Sequence, residues 1–167
     1  MSMRIRRIRA DEWQRLRAFR LHALADVPTA FGSTLAQEQA FSDDVWHDRA
    51  VGAAAGIDRV TFIAEQEDRW LGMATGLLGG PDDSSAMLVG MFVDGSARRH
   101  GLAADLVEAI VRWAQERGRG KLVLSVTSTN EAAVALYRRC GFRPTGATKP
   151  LPHTPHLIEL EMVRDLK

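Results

Sequence analysis

The segment that most constrains this chain is residues 91–103, Met-Phe-Val-Asp-Gly-Ser-Ala-Arg-Arg-His-Gly-Leu-Ala. It reads as the end of a strand, a short basic loop and the first turn of a long amphipathic helix. The near-continuous apolar run Met87, Leu88, Val89, Met91, Phe92, Val93 fits a central strand buried on both faces. Arg98, Arg99 and His100 follow, then Gly101, Leu102 and the small Ala103, where the helix is about to begin. The first amides of a helix have no intrahelical partner, and the dipole favours negative charge at that end. Small residues there let backbone approach an anion closely. The segment is therefore a candidate phosphate cradle.

The flanking sequence places this cradle in a mixed α/β fold. Residues 4–8 form a first strand, in which Arg4, Arg6, Arg7 and Arg9 alternate with Ile5 and Ile8 as solvated charges of an edge strand. Asp11 is placed to cap a helix carrying Leu16, Phe19, Arg20 and Ala23, which ends before Pro28. After the loop Phe31-Gly32-Ser33-Thr34, Ser42 with Asp43 and Asp44 starts a second helix through Trp46 and Ala50. Residues 52–56 are expected to be a loop. Strands follow at 60–66 and 70–78, joined by a tight turn at Glu67-Asp68, and after a turn at 79–83 comes the strand 86–93.

The helix after the basic loop puts Ala103, Leu106, Val107, Ile110, Val111 and Ala114 on one face and stops at Gly118. A strand at 121–126 leads to a helix capped by Asn130, with Ala133, Leu136, Tyr137 and Cys140 on one face. Gly141 closes that helix and Phe142 packs back on its last turn. A Pro-rich loop then precedes a final strand at 156–162. The order β-α-α-β-β-β-α-β-α-β-β implies antiparallel pairing early and a parallel crossover over residues 86–126. The expected fold is a mixed sheet with helices on both faces, in a single domain over 1–167.

Composition narrows the function classes. A net charge of +1 gives no global support for a nucleic-acid or anionic-membrane partner. One cysteine excludes an intrachain disulfide and suggests a reducing compartment. With no long apolar span and no charged-then-apolar leader, the expected location is cytoplasmic. His153 and His156 invite a metal reading, but no cysteine or carboxylate cluster supports it and Pro155 prevents a helical ligand geometry. No metal is expected.

The loop Arg98-Arg99-His100-Gly101-Leu102-Ala103 resembles the acyl-CoA pyrophosphate loop of the GNAT acyltransferase superfamily. Its pattern is Gln or Arg, two residues, Gly, one residue, then Gly or Ala, and Arg98, Gly101 and Ala103 occupy the three positions. The block from Asn130 through Leu136, Tyr137, Gly141 and Phe142 is similar to the superfamily's other signature, in the same order and spacing. The resemblance covers essentially the whole chain. It implies a GNAT fold whose central parallel strands splay apart near 123–126, with acetyl-CoA as co-substrate. Met91, Phe92 and Val93 would offer backbone groups to the pantetheine arm, an amide-rich ligand replacing a missing strand partner. Amides of residues 99–103 would hold the pyrophosphate, Arg98 and Arg99 would add charge, and Asn130 would cap its helix and reach the pantetheine. One departure is Gly95, where the superfamily often has Pro.

The resemblance also implies that Tyr137, the only tyrosine, approaches the cofactor sulfur. When an amine attacks a thioester the leaving thiolate needs a proton, and a phenol is close enough in acidity to supply one. No ionisable side chain lies within residues 86–93 to act as base; Glu38, Asp43 and Asp44 are candidates. His22 reads as a satisfied, partly buried histidine, and Cys140 as a buried inert thiol. The segment Ala30-Phe31-Gly32-Ser33 resembles a bacterial GNAT subgroup. Acids are too dispersed for a polycationic acceptor, which points to an uncharged or moderately charged amine of a small molecule or peptide. The loop around His153 would line the acceptor site, and the assembly is compatible with a homodimer. The alternatives are a non-catalytic acyl-CoA-binding or regulatory domain on the same fold, and a nucleotide-phosphate module, though GxGxxG and the Lys-Ser or Lys-Thr phosphate loop are absent.

Overall fold

A computed structural model describes residues 3–79, 82–98 and 100–167. Among the described residues, seven strands form one sheet in the order β1-β2-β3-β4-β5-β7-β6. They are β1 (Arg4–Arg7), β2 (Arg59–Gln66), β3 (Arg69–Leu78), β4 (Ser85–Val93), β5 (Lys121–Thr127), β6 (Arg143–Leu151) and β7 (Thr154–Asp165). Only β4 and β5 run parallel; every other pairing is antiparallel. The helices are α1 (Trp13–Asp26), α2 (Leu35–Gln39), α3 (Asp43–Ala55), α4 (Leu102–Glu116) and α5 (Glu131–Arg139). Among the described residues, no helix is long and apolar enough to cross a membrane.

Alternation along the strands separates two cores. Val60, Ala64, Leu71 and Ala74 pack with Leu106, Val107, Ile110 and Trp113 of α4. Ile63 and Met73, on the opposite face, pack with Leu16 of α1 and Trp46 and Ala50 of α3. Leu106 and Ile110 are fully buried, and burial of each such side chain stabilises by roughly 1.5–3 kcal/mol. Gly76 is what lets α4 lie so close. A Cβ there would stand 2.8 Å from a ring carbon of Trp113, whose indole N–H donates to the Gly56 carbonyl at 2.9 Å. The Glu67-Asp68 turn has positive φ at both residues (51° and 65°), the twist that joins antiparallel strands tightly.

Four local expectations are corrected. Residues 52–55 continue α3 rather than forming a loop, because the alanines there favour helix; Gly56, at φ 68°, ends it. The Pro-rich segment is strand β6, not a loop. It lies at the sheet edge, where Pro144 and Pro150 lack an N–H that no further strand would use. Asp11 does not cap α1 but sits in a 3-10 turn (Ala10–Glu12), and Glu12 accepts the Arg9 backbone N–H at 2.9 Å. Arg6 is not a solvated edge charge. Its side chain is 14% exposed and bridges two buried carboxylates, Glu12 (both bonds 2.8 Å) and Glu65 (2.9 Å). Both acids are held below the usual carboxylate range, chiefly by the Arg6 hydrogen bonds, and Glu65 falls to about 2.

Candidate active site

The parallel pair β4–β5 is short. Only Ser85↔Lys121, Ala86↔Leu122 and Met87↔Val123 are in register; beyond them β4 pairs with β3 alone and β5 with β7 alone. A bulge coincides with the divergence. Gly90 adopts φ 62°, and between the pairs Met73↔Phe92 and Thr75↔Val89 strand β4 has one residue more than β3. The extra residue bends β4 and increases its twist, which turns it away from β5. A gap between two strands with unpaired backbone edges is the result, and it opens where residues 123–126 were expected to border it.

Strand β4 ends facing the start of α4. Gly101, at φ 78°, is its N-cap residue, and among the described residues no side chain caps the helix, so its first amides lack a side-chain acceptor there. Leu102 is buried and anchors α4, leaving only its backbone for binding, while His100 and Gly101 are exposed. Arg98 is more than a charge near this site: its Nε donates to the Val93 carbonyl (2.9 Å) and its terminal nitrogen to Asp26 (2.9 Å). That bond occupies one of the backbone groups expected to meet the pantetheine. Arg99, expected to add charge here, lies outside the described residues. Asp94 shapes the intervening turn by accepting from Ser96 and lying 2.8 Å from His22 Nε2; these partners hold its carboxyl at about 2.

Val93, Leu102 and Tyr137 belong to one apolar cluster, with Met91 and Ala103 packed against it. Phe92 points to the opposite face, against Ala23, Leu24 and Phe31. Tyr137 is 6% exposed and stacks edge-on with Phe142 at 5.8 Å. Its hydroxyl has no hydrogen-bond partner among the described residues, and burial pushes its pKa well above the ordinary phenol range. Asn130 caps α5, accepting the Ala133 amide at 3.2 Å.

The profile of the acetyltransferase (GNAT) family aligns with residues 16–142. The chain belongs to the GNAT family. It is 32% identical over 110 residues to N-acetyltransferase 8 of Homo sapiens, across 58% of this chain and 47% of that protein. The chain thus spans about half the length of this curated relative. Among solved structures, its fold is similar to a GNAT-family acetyltransferase of Streptococcus pneumoniae (TM-score 0.82, 20% identity, 99% of this chain and 100% of that one). It is also similar to yncA of Salmonella typhimurium, solved with its cofactor acetyl-CoA (TM-score 0.81, 17% identity, 100% of this chain and 95% of that one).

Within this GNAT chain, the residues weighed as bases are differently disposed. Glu38 is 1% exposed and accepts from Arg20 (3.0 and 2.9 Å) and Arg49 (3.2 Å). Burial would raise its pKa, but the Arg20 and Arg49 contacts outweigh it and the net displacement is downward, so Glu38 is a poor proton acceptor. Asp43 and Asp44 are exposed in the first turn of α3. His22 is half-exposed and stands edge-on to Phe92 at 5.6 Å. His153 bonds the Phe31 carbonyl at 2.7 Å and so ties the β6–β7 hairpin to the Phe31 loop, whereas His156 is exposed. Cys140 is half-buried, its thiol pushed up by burial. The bulge at Gly90 and the Arg20-Glu38-Arg49 cluster were not foreseen. A glycine inside an apolar strand was the one available sign of the bulge.

Proposed function

We propose that the protein is an acetyl-CoA-dependent N-acetyltransferase acting on a primary amine of a small molecule or peptide by direct attack. The observation that carries this reading is the splay of β4 from β5 after Met87, directly before the uncapped end of α4. The unpaired edge of β4 suits the amides of a pantetheine arm, and the α4 N-terminus with Arg98 suits its pyrophosphate. The amine nitrogen attacks the thioester carbonyl carbon, the C–S bond breaks, and the proton shed by nitrogen is balanced by one gained at sulfur. Tyr137 is the donor we assign to the departing sulfur. Its buried phenol stays protonated through the working pH range, so a hydrogen bond is available whenever thiolate develops.

Within the family we read the Ala30-Phe31-Gly32-Ser33 loop as the mark of a bacterial subgroup, and the lone thiol Cys140 as supporting a cytoplasmic setting. The test is CoA release from acetyl-CoA with a mixed amine panel, for wild type and Tyr137→Phe. Turnover should fall at least tenfold in the variant while the KM for acetyl-CoA stays within about twofold. Binding of acetyl-CoA without CoA release for any amine would favour the non-catalytic alternative. Equal loss of both parameters would mean that Tyr137 only supports the fold or the cofactor.

A further inference from the structure

On the α1 and α3 face of the sheet lies a cavity of about 300 Å³, whose lining includes Arg20, Arg49, Arg59, Thr75, Val89 and Gly90. Strands β2, β3 and β4 all contribute to its wall, and Val89 and Gly90 bring in the bulged part of β4, at the stretch where β4 no longer pairs with β5. The charges are unbalanced. Glu38 is the acid that Arg20 and Arg49 share, and it engages only Nε and one terminal nitrogen of Arg20. The other terminal nitrogen of Arg20 faces β4, 3.6 Å from where a Gly90 Cβ would be. Arg59 has no hydrogen-bond or ion-pair partner among the described residues, and its aliphatic stem rests against Gly52 of α3. Thr61 and Thr75, also in the wall, bond one another at 2.8 Å.

From this arrangement we infer that the cavity is the acceptor pocket and selects a small amine that carries a carboxylate, an amino-acid-like zwitterion. The inference rests on the acetyltransferase reading. Three guanidiniums, two of them sharing one carboxylate and the third without one, attract an oxyanion, and the planar guanidinium fork fits a carboxylate. A polyamine or other polycation meets only repulsion there. The same field also bears on the missing base. Nearby cations lower the pKa of the substrate ammonium, so the amine sheds its proton more readily to water and attacks as the free base. A carboxylate on the substrate is what allows such an amine to bind at all.

Arg59 is the residue to change, because it holds no structural ion pair. The assay measures kcat/KM with acetyl-CoA for a panel of L-amino acids, their matched carboxamides and spermidine. At least one amino acid should exceed its carboxamide by tenfold or more. Arg59→Gln should raise the KM for that amino acid about tenfold while leaving the KM for acetyl-CoA unchanged. Arg59→Lys should recover part of the loss. Preference for a carboxamide or spermidine, or an unaltered amino-acid KM in Arg59→Gln, would overturn the inference. Calorimetric titration of the same amino acids into protein saturated with CoA reads the pocket independently of turnover. Amino-acid binding without acetyl transfer would sink the catalytic reading alone, and no binding by any amino acid would sink this one.

Discussion

Replacing Glu65 by Gln tests the charge network that stitches β1 to the sheet. Glu65 is 6% exposed on its side chain and receives Arg6 at 2.9 Å, with the more exposed Arg4 as a second partner. These contacts lower its carboxyl from 4.5 to about 2. Each pH unit of displacement is about 1.4 kcal/mol, so the ionised carboxylate contributes at most about 3 kcal/mol to stability near neutral pH. Arg6 would remain paired with Glu12 in the variant, so no cation is stranded, and the glutamine retains one acceptor. The expected loss in Glu65→Gln is about 2–3 kcal/mol near pH 7. Because the folded pKa is depressed, the contribution is fully present above the unfolded value of 4.5 and fades as pH falls toward about 2. By about pH 3 roughly 2 kcal/mol of it should be gone. Urea unfolding of both proteins near pH 7 and about pH 3 measures the difference. A gap between wild type and variant that is the same at both pH values would refute the electrostatic account. So would a gap under about 0.5 kcal/mol near pH 7, which is within the range of an ordinary surface substitution.

Gly76→Ala should destabilise by about 1–3 kcal/mol and lower Tm by several degrees, since the new methyl meets a Trp113 ring tethered to Gly56. An unchanged melting curve would show that α4 can retreat from the sheet freely. Arg98→Lys keeps the charge but loses the Nε bond to the Val93 carbonyl, so the KM for acetyl-CoA should rise severalfold with little change in kcat. Steady-state kinetics over a range of acetyl-CoA concentrations would decide it, and an unaltered KM would mean that Arg98 acts only as a diffuse charge.

Much of the fold was legible because its signals are local. The apolar run of β4, the helical face of α4 and the Asn130 and Gly141 boundaries of α5 are written within a few residues of where they act. The junction of β4 with α4 was legible for the same reason, since strand, glycine and helix start adjoin in the chain. What escaped depended on partners far away. Arg6 and Glu65 are 59 positions apart, and Arg20 and Glu38 are 18 apart, so nothing near each arginine revealed a buried mate. The Pro-rich strand β6 escaped too, because proline argues against a strand until its place at the sheet edge is known.

The sequence by itself determined most of the strands and the longer helices, the start of α4 behind Gly101 and the helix that carries Tyr137, through hydrophobic periodicity and residues with restricted backbone choices. Only the tertiary structure decided where β4 parts from β5, because the bulge at Gly90 has meaning only against the register of β3. It also decided which charges are spent on holding the fold and which remain to meet a ligand. Arg6 is consumed between Glu12 and Glu65, whereas Arg59 lines the cavity without a counter-charge among the described residues. Pairing of this kind is set by distance in space, and a charge in a chain carries no mark of which partner folding will bring to it.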